Sequence, residues 1–245
     1  MSAPEARLAV LGGAGQDLLL IHGFGADRLA WPATAPAFFA THRVWAVDLP
    51  GHGAAPAEVG DGSPRALARA VAAAVAAAFA GPVAVVGHSL GGAVAVELAG
   101  MLPVSALALI APAGLGASVD RDFVEQFPWV EEETQAMALL QRLVVRPRMI
   151  APGLPGHVLA GLARPGRREA LARIGAAVLE MAPPALPEDV PVRLIWGEHD
   201  RINPRDPARA AGWGDSFALL EGAGHMPHVE LASRANMLIR EGIST

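Results

Sequence analysis

Between the apolar residues Val83 to Val86 and an alanine-rich stretch from Ala93 to Ala99 stands the segment Gly87-His88-Ser89-Leu90-Gly91. It reads as a strand, a tight turn and a helix in direct succession. A turn this abrupt leaves no room for side chains two residues either side of its apex, so Gly87 and Gly91 remove the clash. Ser89 then projects above the end of the strand, close to the free amides that open the helix, where an oxyanion would be stabilised. Small residues also cluster at strand-to-helix turns for purely structural reasons. The rest of the chain has to decide whether Ser89 is a nucleophile.

A serine hydroxyl is a weak nucleophile unless an imidazole takes its proton and a carboxylate orients that imidazole. On this kind of framework the partners follow the serine in the order acid, then histidine. Val192 to Trp196 reads as a buried strand that empties into Gly197-Glu198-His199-Asp200. Phe217 to Leu220 reads as another, followed by Glu221-Gly222-Ala223-Gly224-His225-Met226-Pro227. Asp200 and His225 thus each fall just past the C-terminal end of a strand, the edge where open α/β sheets place their sites. Upstream, the strand Leu18 to Ile21 runs into His22-Gly23-Phe24-Gly25. The amides of Phe24 and of Leu90 are the candidate pair for an oxyanion hole.

With these residues in hand the chain resembles the α/β-hydrolase superfamily along nearly its whole length. The resemblance rests on His22-Gly23-Phe24-Gly25, Asp48-Leu49-Pro50-Gly51-His52-Gly53, Gly87-His88-Ser89-Leu90-Gly91, Trp196-Gly197-Glu198-His199-Asp200 and Gly224-His225. It implies an α/β-hydrolase fold, a mostly parallel central sheet with helices on both faces and an inserted helical cap. Within the superfamily, Leu20 to Ala26, Val47 to Gly53 and Leu162 to Leu179 are similar to the hydrolase-like C-terminal domain of acetoin dehydrogenase E2-type proteins. Those acyltransferases carry a lipoyl domain whose lysine bears the cofactor. This chain has no lysine, and no lipoyl domain, lipoylation or other cofactor is expected. Dehalogenases and epoxide hydrolases of the superfamily have aspartate where Ser89 stands, and the latter use cap tyrosines, which this chain lacks.

Alternating strand and helix patterns agree with a parallel sheet covered on both sides. A first hairpin is expected from Arg7 to Ile21, turning at Gly12-Gly13-Ala14-Gly15, and a helix near Trp31-Pro32. The strand Arg43 to Val47 precedes the Asp48–Gly53 turn, and Ser63-Pro64 starts a helix through Ala80. Residues 114–187 break the rhythm: helical pieces at 119–127, 132–145, 155–163 and 167–181 read as a cap inserted into a core formed by 1–113 and 188–245. A loop of that length without structure of its own would be unusual in a compact domain.

Composition fits one enzyme domain. In 245 residues, 52% are hydrophobic and 18% charged, enough for a sizeable core. A net charge of −5 speaks against nucleic acid as partner. Without cysteine there is no disulfide frame, thiol nucleophile or Cys-based metal site. Met1 to Arg7 lacks the long apolar run of a signal peptide, and the helix 66–80 is interrupted by Arg69 and too short to span a bilayer. The expectation is a cytoplasmic protein without membrane attachment, a monomer or small homo-oligomer.

Each candidate has a rival. Glu198 competes with Asp200 as the acid, and the superfamily pattern favours Asp200. His228 competes with His225, but it follows Pro227 into a helix. His22 and His88 read as structural, His199 as a solvated loop residue, and His52 with Asp48 as a turn rather than a metal site. Phe127, Trp129, Met137, Met149 and Met181 are candidates for substrate contact or for the cap's own core. The expected activity is carboxylesterase-like: acyl transfer from a small-molecule ester to Ser89, then to water. The alternatives are a carbon–carbon hydrolase for a dioxo acid from aromatic-ring cleavage and a non-catalytic or complex-associated module. The dioxo acid would need a cationic clamp from Arg142, Arg146, Arg148, Arg164, Arg167 or Arg168, all of which read more simply as solvated.

Overall fold

The computed structural model describes residues 3–244; Met1 and Ser2, at the head of the segment read for targeting, and Thr245 lie outside it. Among these residues the strands are β1 (Arg7–Gly12), β2 (Gln16–Ile21), β3 (His42–Asp48), β4 (Val83–His88), β5 (Val104–Ile110), β6 (Val192–Gly197) and β7 (Phe217–Leu220). They form one sheet in the order β1-β3-β2-β4-β5-β6-β7, parallel throughout except that β1 runs antiparallel to β3. The helices are α1 (Pro64–Ala78), α2 (Leu90–Ala99), α3 (Arg121–Gln126), α4 (Glu133–Gln141), α5 (Leu154–Leu162), α6 (Arg167–Glu180), α7 (Pro207–Gly212), α8 (Pro227–Glu230) and α9 (Ala232–Ile243). None among the described residues is long and apolar enough to cross a membrane.

The residues explain the layers. Every residue of β4 is buried, as a valine-rich strand between two parallel neighbours must be. On one face Leu67, Val71 and Val75 of α1, spaced four apart, join α2 and Ile174 and Val178 of α6 over the sheet. Ser63 caps α1 by accepting the Ala66 amide at 3.2 Å, and Pro64 occupies its first turn. On the opposite face Ala235, Ile239 and Ile243 of α9 pack with Trp31 and Phe38.

Two expectations fail. β1 and β2 are not a hairpin, because β3 lies between them. Leu18 to Ile21 are fully buried and paired in parallel with β3 on one side and β4 on the other, so β2 has no free edge and β1 is left to the outer edge of β3. The chain around Trp31-Pro32 forms short 3-10 turns at Arg28–Ala30 and Ala35–Phe38 instead of an α-helix. Pro32 and Pro36 lack the amides that an α-helical ladder there would need.

Between β5 and β6 come α3 to α6, with only an isolated bridge from Gly116 to Arg205 as β-structure among the described residues. This segment has an apolar cluster of its own, including Phe123, Phe127, Leu140, Val158, Leu162 and Leu171, into which Ile202 of the sheet layer inserts.

Candidate active site

Ser89 sits at the end of β4 with φ 53° and ψ −116°, outside the regions an L-residue ordinarily adopts. Such a conformation costs on the order of 1–3 kcal/mol and persists only where the surroundings enforce it. Here the Ser89 amide donates to Ile110 O at 2.9 Å, and its carbonyl accepts from Gly92 (2.9 Å) and Ala113 (2.9 Å). Glycine is required on both sides. A Cβ on Gly87 would lie 2.4 Å from Gly91 O, and one on Gly91 would lie 2.1 Å from Ile21 O.

His225 and Asp200 stand on the turns after β7 and β6. His225 Nδ1–H donates to Asp200 Oδ2 at 2.8 Å, and both residues are buried, 2% and 6% exposed. The other carboxylate oxygen, Oδ1, accepts the amides of Ile202 and Asn203 at 2.9 Å each. Asn203 in turn donates to the carbonyls of Ala111 and Pro112, which fixes the Asp200 turn to the end of β5. With Nδ1 committed to Asp200, Nε2 is the basic nitrogen of the ring. Glu198 points elsewhere: its side chain is 41% exposed and accepts the Gly222 amide. His199 is exposed beside it.

The other histidines hold backbone. His22 donates from Nδ1 to Gly23 O (2.8 Å) and accepts the Leu49 amide at Nε2 (3.2 Å). His52 donates to Pro50 O (3.0 Å) and accepts the Gly25 amide (3.2 Å), so the two rings tie the Phe24 loop to the turn after β3. Asp48 accepts the amides of Arg28 and Ala54 and pairs with the Arg28 guanidinium. No group of three or more acidic or histidine side chains suited to a metal exists among the described residues. His88 donates from Nε2 to His225 O at 2.9 Å, linking the residue before Ser89 to the backbone of His225. Burial pushes the pKa of His22, His52 and His88 down, and that of His228 to about 3, so all four are neutral.

Ser89, Leu90, Phe24 and His225 line one cavity of about 60 Å³. Leu90 opens α2, so its amide has no partner within the helix. A second cavity of about 650 Å³ adjoins it and includes Phe127 in its wall. Trp129 is 53% exposed, and Met137 and Met149 pack against the apolar cluster of the helical segment; none of the three lines either cavity. Met181 packs at the edge of the main core. Met226 lines both cavities and was missed, although its adjacency to His225 was visible in the chain.

Four of the six arginines are not simply solvated. Arg142 pairs with Asp120, and Arg168 donates to Pro128 O and Val130 O. Arg164 donates to Gly53 O, and the buried Arg167 donates to Gly53 O and Ala55 O. A further buried group was not anticipated. Glu230 accepts the amide of Gly224 at 2.6 Å with one oxygen and those of Val145 (2.9 Å) and Arg146 (3.1 Å) with the other. It thereby fastens the turn that carries His225 to the helical segment.

A model of the alpha/beta hydrolase family matches residues 18–235. The chain is 31% identical over 234 residues to the dihydrolipoyllysine-residue acetyltransferase component of the acetoin cleaving system of Pseudomonas putida, covering 92% of this chain and 63% of that protein. It thus spans less than two thirds of that relative. A pimeloyl-[acyl-carrier protein] methyl ester esterase of Neisseria meningitidis is 34% identical over 243 residues, 91% of this chain and 90% of the esterase. The fold is shared with a meta-cleavage product hydrolase from Pseudomonas fluorescens IP01, at TM-score 0.80 and 20% identity over 96% of this chain and 93% of the other.

Proposed function

Because the chain belongs to the alpha/beta hydrolase family, we propose that it is a serine hydrolase that cleaves a carboxylic ester through an acyl-enzyme. Ser89 Oγ attacks the carbonyl carbon while His225 Nε2 takes its proton, and Asp200 holds the imidazole and stabilises its charged form. The Phe24 and Leu90 amides receive the negative charge that forms on the carbonyl oxygen. His225 then gives its proton to the departing alcohol. A water, deprotonated by the same nitrogen, attacks the acyl-enzyme and releases the acid and Ser89. Residues 114–187 act as a cap, since Val119, Phe123, Leu143 and Val178 lie in the wall of the Ser89 cavity.

One observation carries the reading: the buried 2.8 Å bond from His225 to Asp200 beside a serine held at φ 53°. The relative named as a methyl ester esterase supports the ester class. The carbon–carbon alternative needs a cation near the reacting end, and among the described residues no arginine lines the Ser89 cavity. The test is labelling by a serine-directed fluorophosphonate with hydrolysis of an activated ester. Ser89→Ala is expected to abolish labelling and to lower kcat by about 10⁴-fold or more, with an unchanged far-UV spectrum. Labelling that survives this substitution would remove Ser89 from the mechanism, and an unlabelled native protein would favour a non-catalytic module.

A further inference from the structure

We infer that the substrate is an ester of unequal arms, one limited to one or two carbons and the other a long apolar chain. The inference rests on the ester-hydrolase reading and deepens it.

The reacting groups stand in the smaller of two joined spaces. Ser89, Leu90 and His225 line the cavity of about 60 Å³ and are absent from the wall of the 650 Å³ chamber. The two spaces share Phe24, Ala26, Ala30, Phe123, Leu143 and Met226, which lie where they adjoin. One water-sized group needs about 10–15 Å³ of such space. The small cavity therefore takes the carbonyl and a short group but no chain. The larger one matches the range of about 300–1,000 Å³ in which sizeable ligands are buried.

The chamber wall selects for apolar chains. Leu154, Val158 and Leu162, four apart along α5, face it. Of its ionic groups, His157 Nε2 lies 2.6 Å from Asp27 Oδ2, Arg28 pairs with Asp48, and Arg164 and Arg167 donate to Gly53 O, while Arg167 Nε and Nη1 have no hydrogen-bond partner among the described residues. Along the α5 wall methylenes gain about 0.8 kcal/mol each on burial.

Two series test this, methyl esters of straight-chain acids and acetates of straight-chain alcohols, with hexyl octanoate as an ester long on both sides. Along one series kcat/KM is expected to climb about tenfold or more from two to eight carbons, as a few buried methylenes allow. Along the other it should fall, and hexyl octanoate should be a poor substrate. Leu143→Trp crowds the junction of the two cavities and should lower the ratio of kcat/KM for the long member to that for methyl acetate about tenfold. Leu143→Ala should not lower that ratio. Both series climbing, neither climbing, or ready turnover of hexyl octanoate would overturn the inference. If Ser89 takes up fluorophosphonate and short esters are hydrolysed without length selection, only the inference fails. If nothing is labelled or hydrolysed, the ester reading itself fails.

Discussion

Glu198 and Asp200 lie two residues apart on one turn, yet only Asp200 turns inward. Its carboxylate is spread over His225 and two backbone amides, while Glu198 accepts Gly222 near solvent. Asp200→Asn is expected to lower kcat by about 10⁴, the cost of this change where a carboxylate sets the imidazole tautomer. Glu198→Gln should leave kcat within about twofold. Ester kinetics on both variants, with melting curves to verify folding, decide the matter; the reverse ranking would transfer the role to Glu198. The candidates at this scale were legible because each stands directly after an apolar strand. The substrate contacts were less so. Trp129 and Met149 have the right chemistry, but side-chain direction on short helices depends on what packs beneath them, and Met226 enters the site through the backbone of His225.

Among the elements, the passage from β4 through Ser89 into α2 is encoded within about fifteen residues of sequence by sterics and apolar periodicity. The helices of residues 114–187 were likewise visible as periodic pieces bounded by Pro and Gly. Pairing was not, because the edge that β1 occupies is settled by distant β4, which claims the second edge of β2. Glu230 shows the same limit: no local pattern reveals that a carboxylate on α8 will bind amides at 145, 146 and 224. Glu230→Ala would leave those amides without their acceptor, at about 1–3 kcal/mol for a buried one. The expected result is a lower urea midpoint with unchanged slope, equivalent to about 3 kcal/mol, and a reduced kcat as the His225 turn loosens. An unaltered midpoint would mean that the clamp adds nothing.

Taken as one body, the protein buries neutral histidines at the sheet edge. His228 lies 5.1 Å from the Trp31 ring and 4.6 Å from the His88 ring, with no hydrogen-bond partner for either ring nitrogen among the described residues. Its pKa of about 3 lies below the unfolded value of 6.5, so between these pH values the unfolded chain binds the extra proton. Stability from this group is therefore complete above about pH 6.5 and drains away as the pH falls toward 3. From pH 6.5 to 5 the loss from His228 alone is about 2 kcal/mol. His228→Phe should flatten that part of the stability–pH curve in chemical denaturation; parallel curves for both proteins would refute the assignment.

The amino-acid order alone specified the strand–serine–helix turn, the chain order of serine, acid and histidine, and their placement at strand ends. These depend on backbone sterics and on periodicities that span a few residues. Which acid meets the imidazole, where β1 pairs, how α8 clamps the helical segment and how the Ser89 cavity comes to adjoin a larger one were decided by tertiary packing. Those outcomes depend on side-chain directions and on contacts between residues far apart in the chain, such as Glu230 and Val145, that no local pattern records.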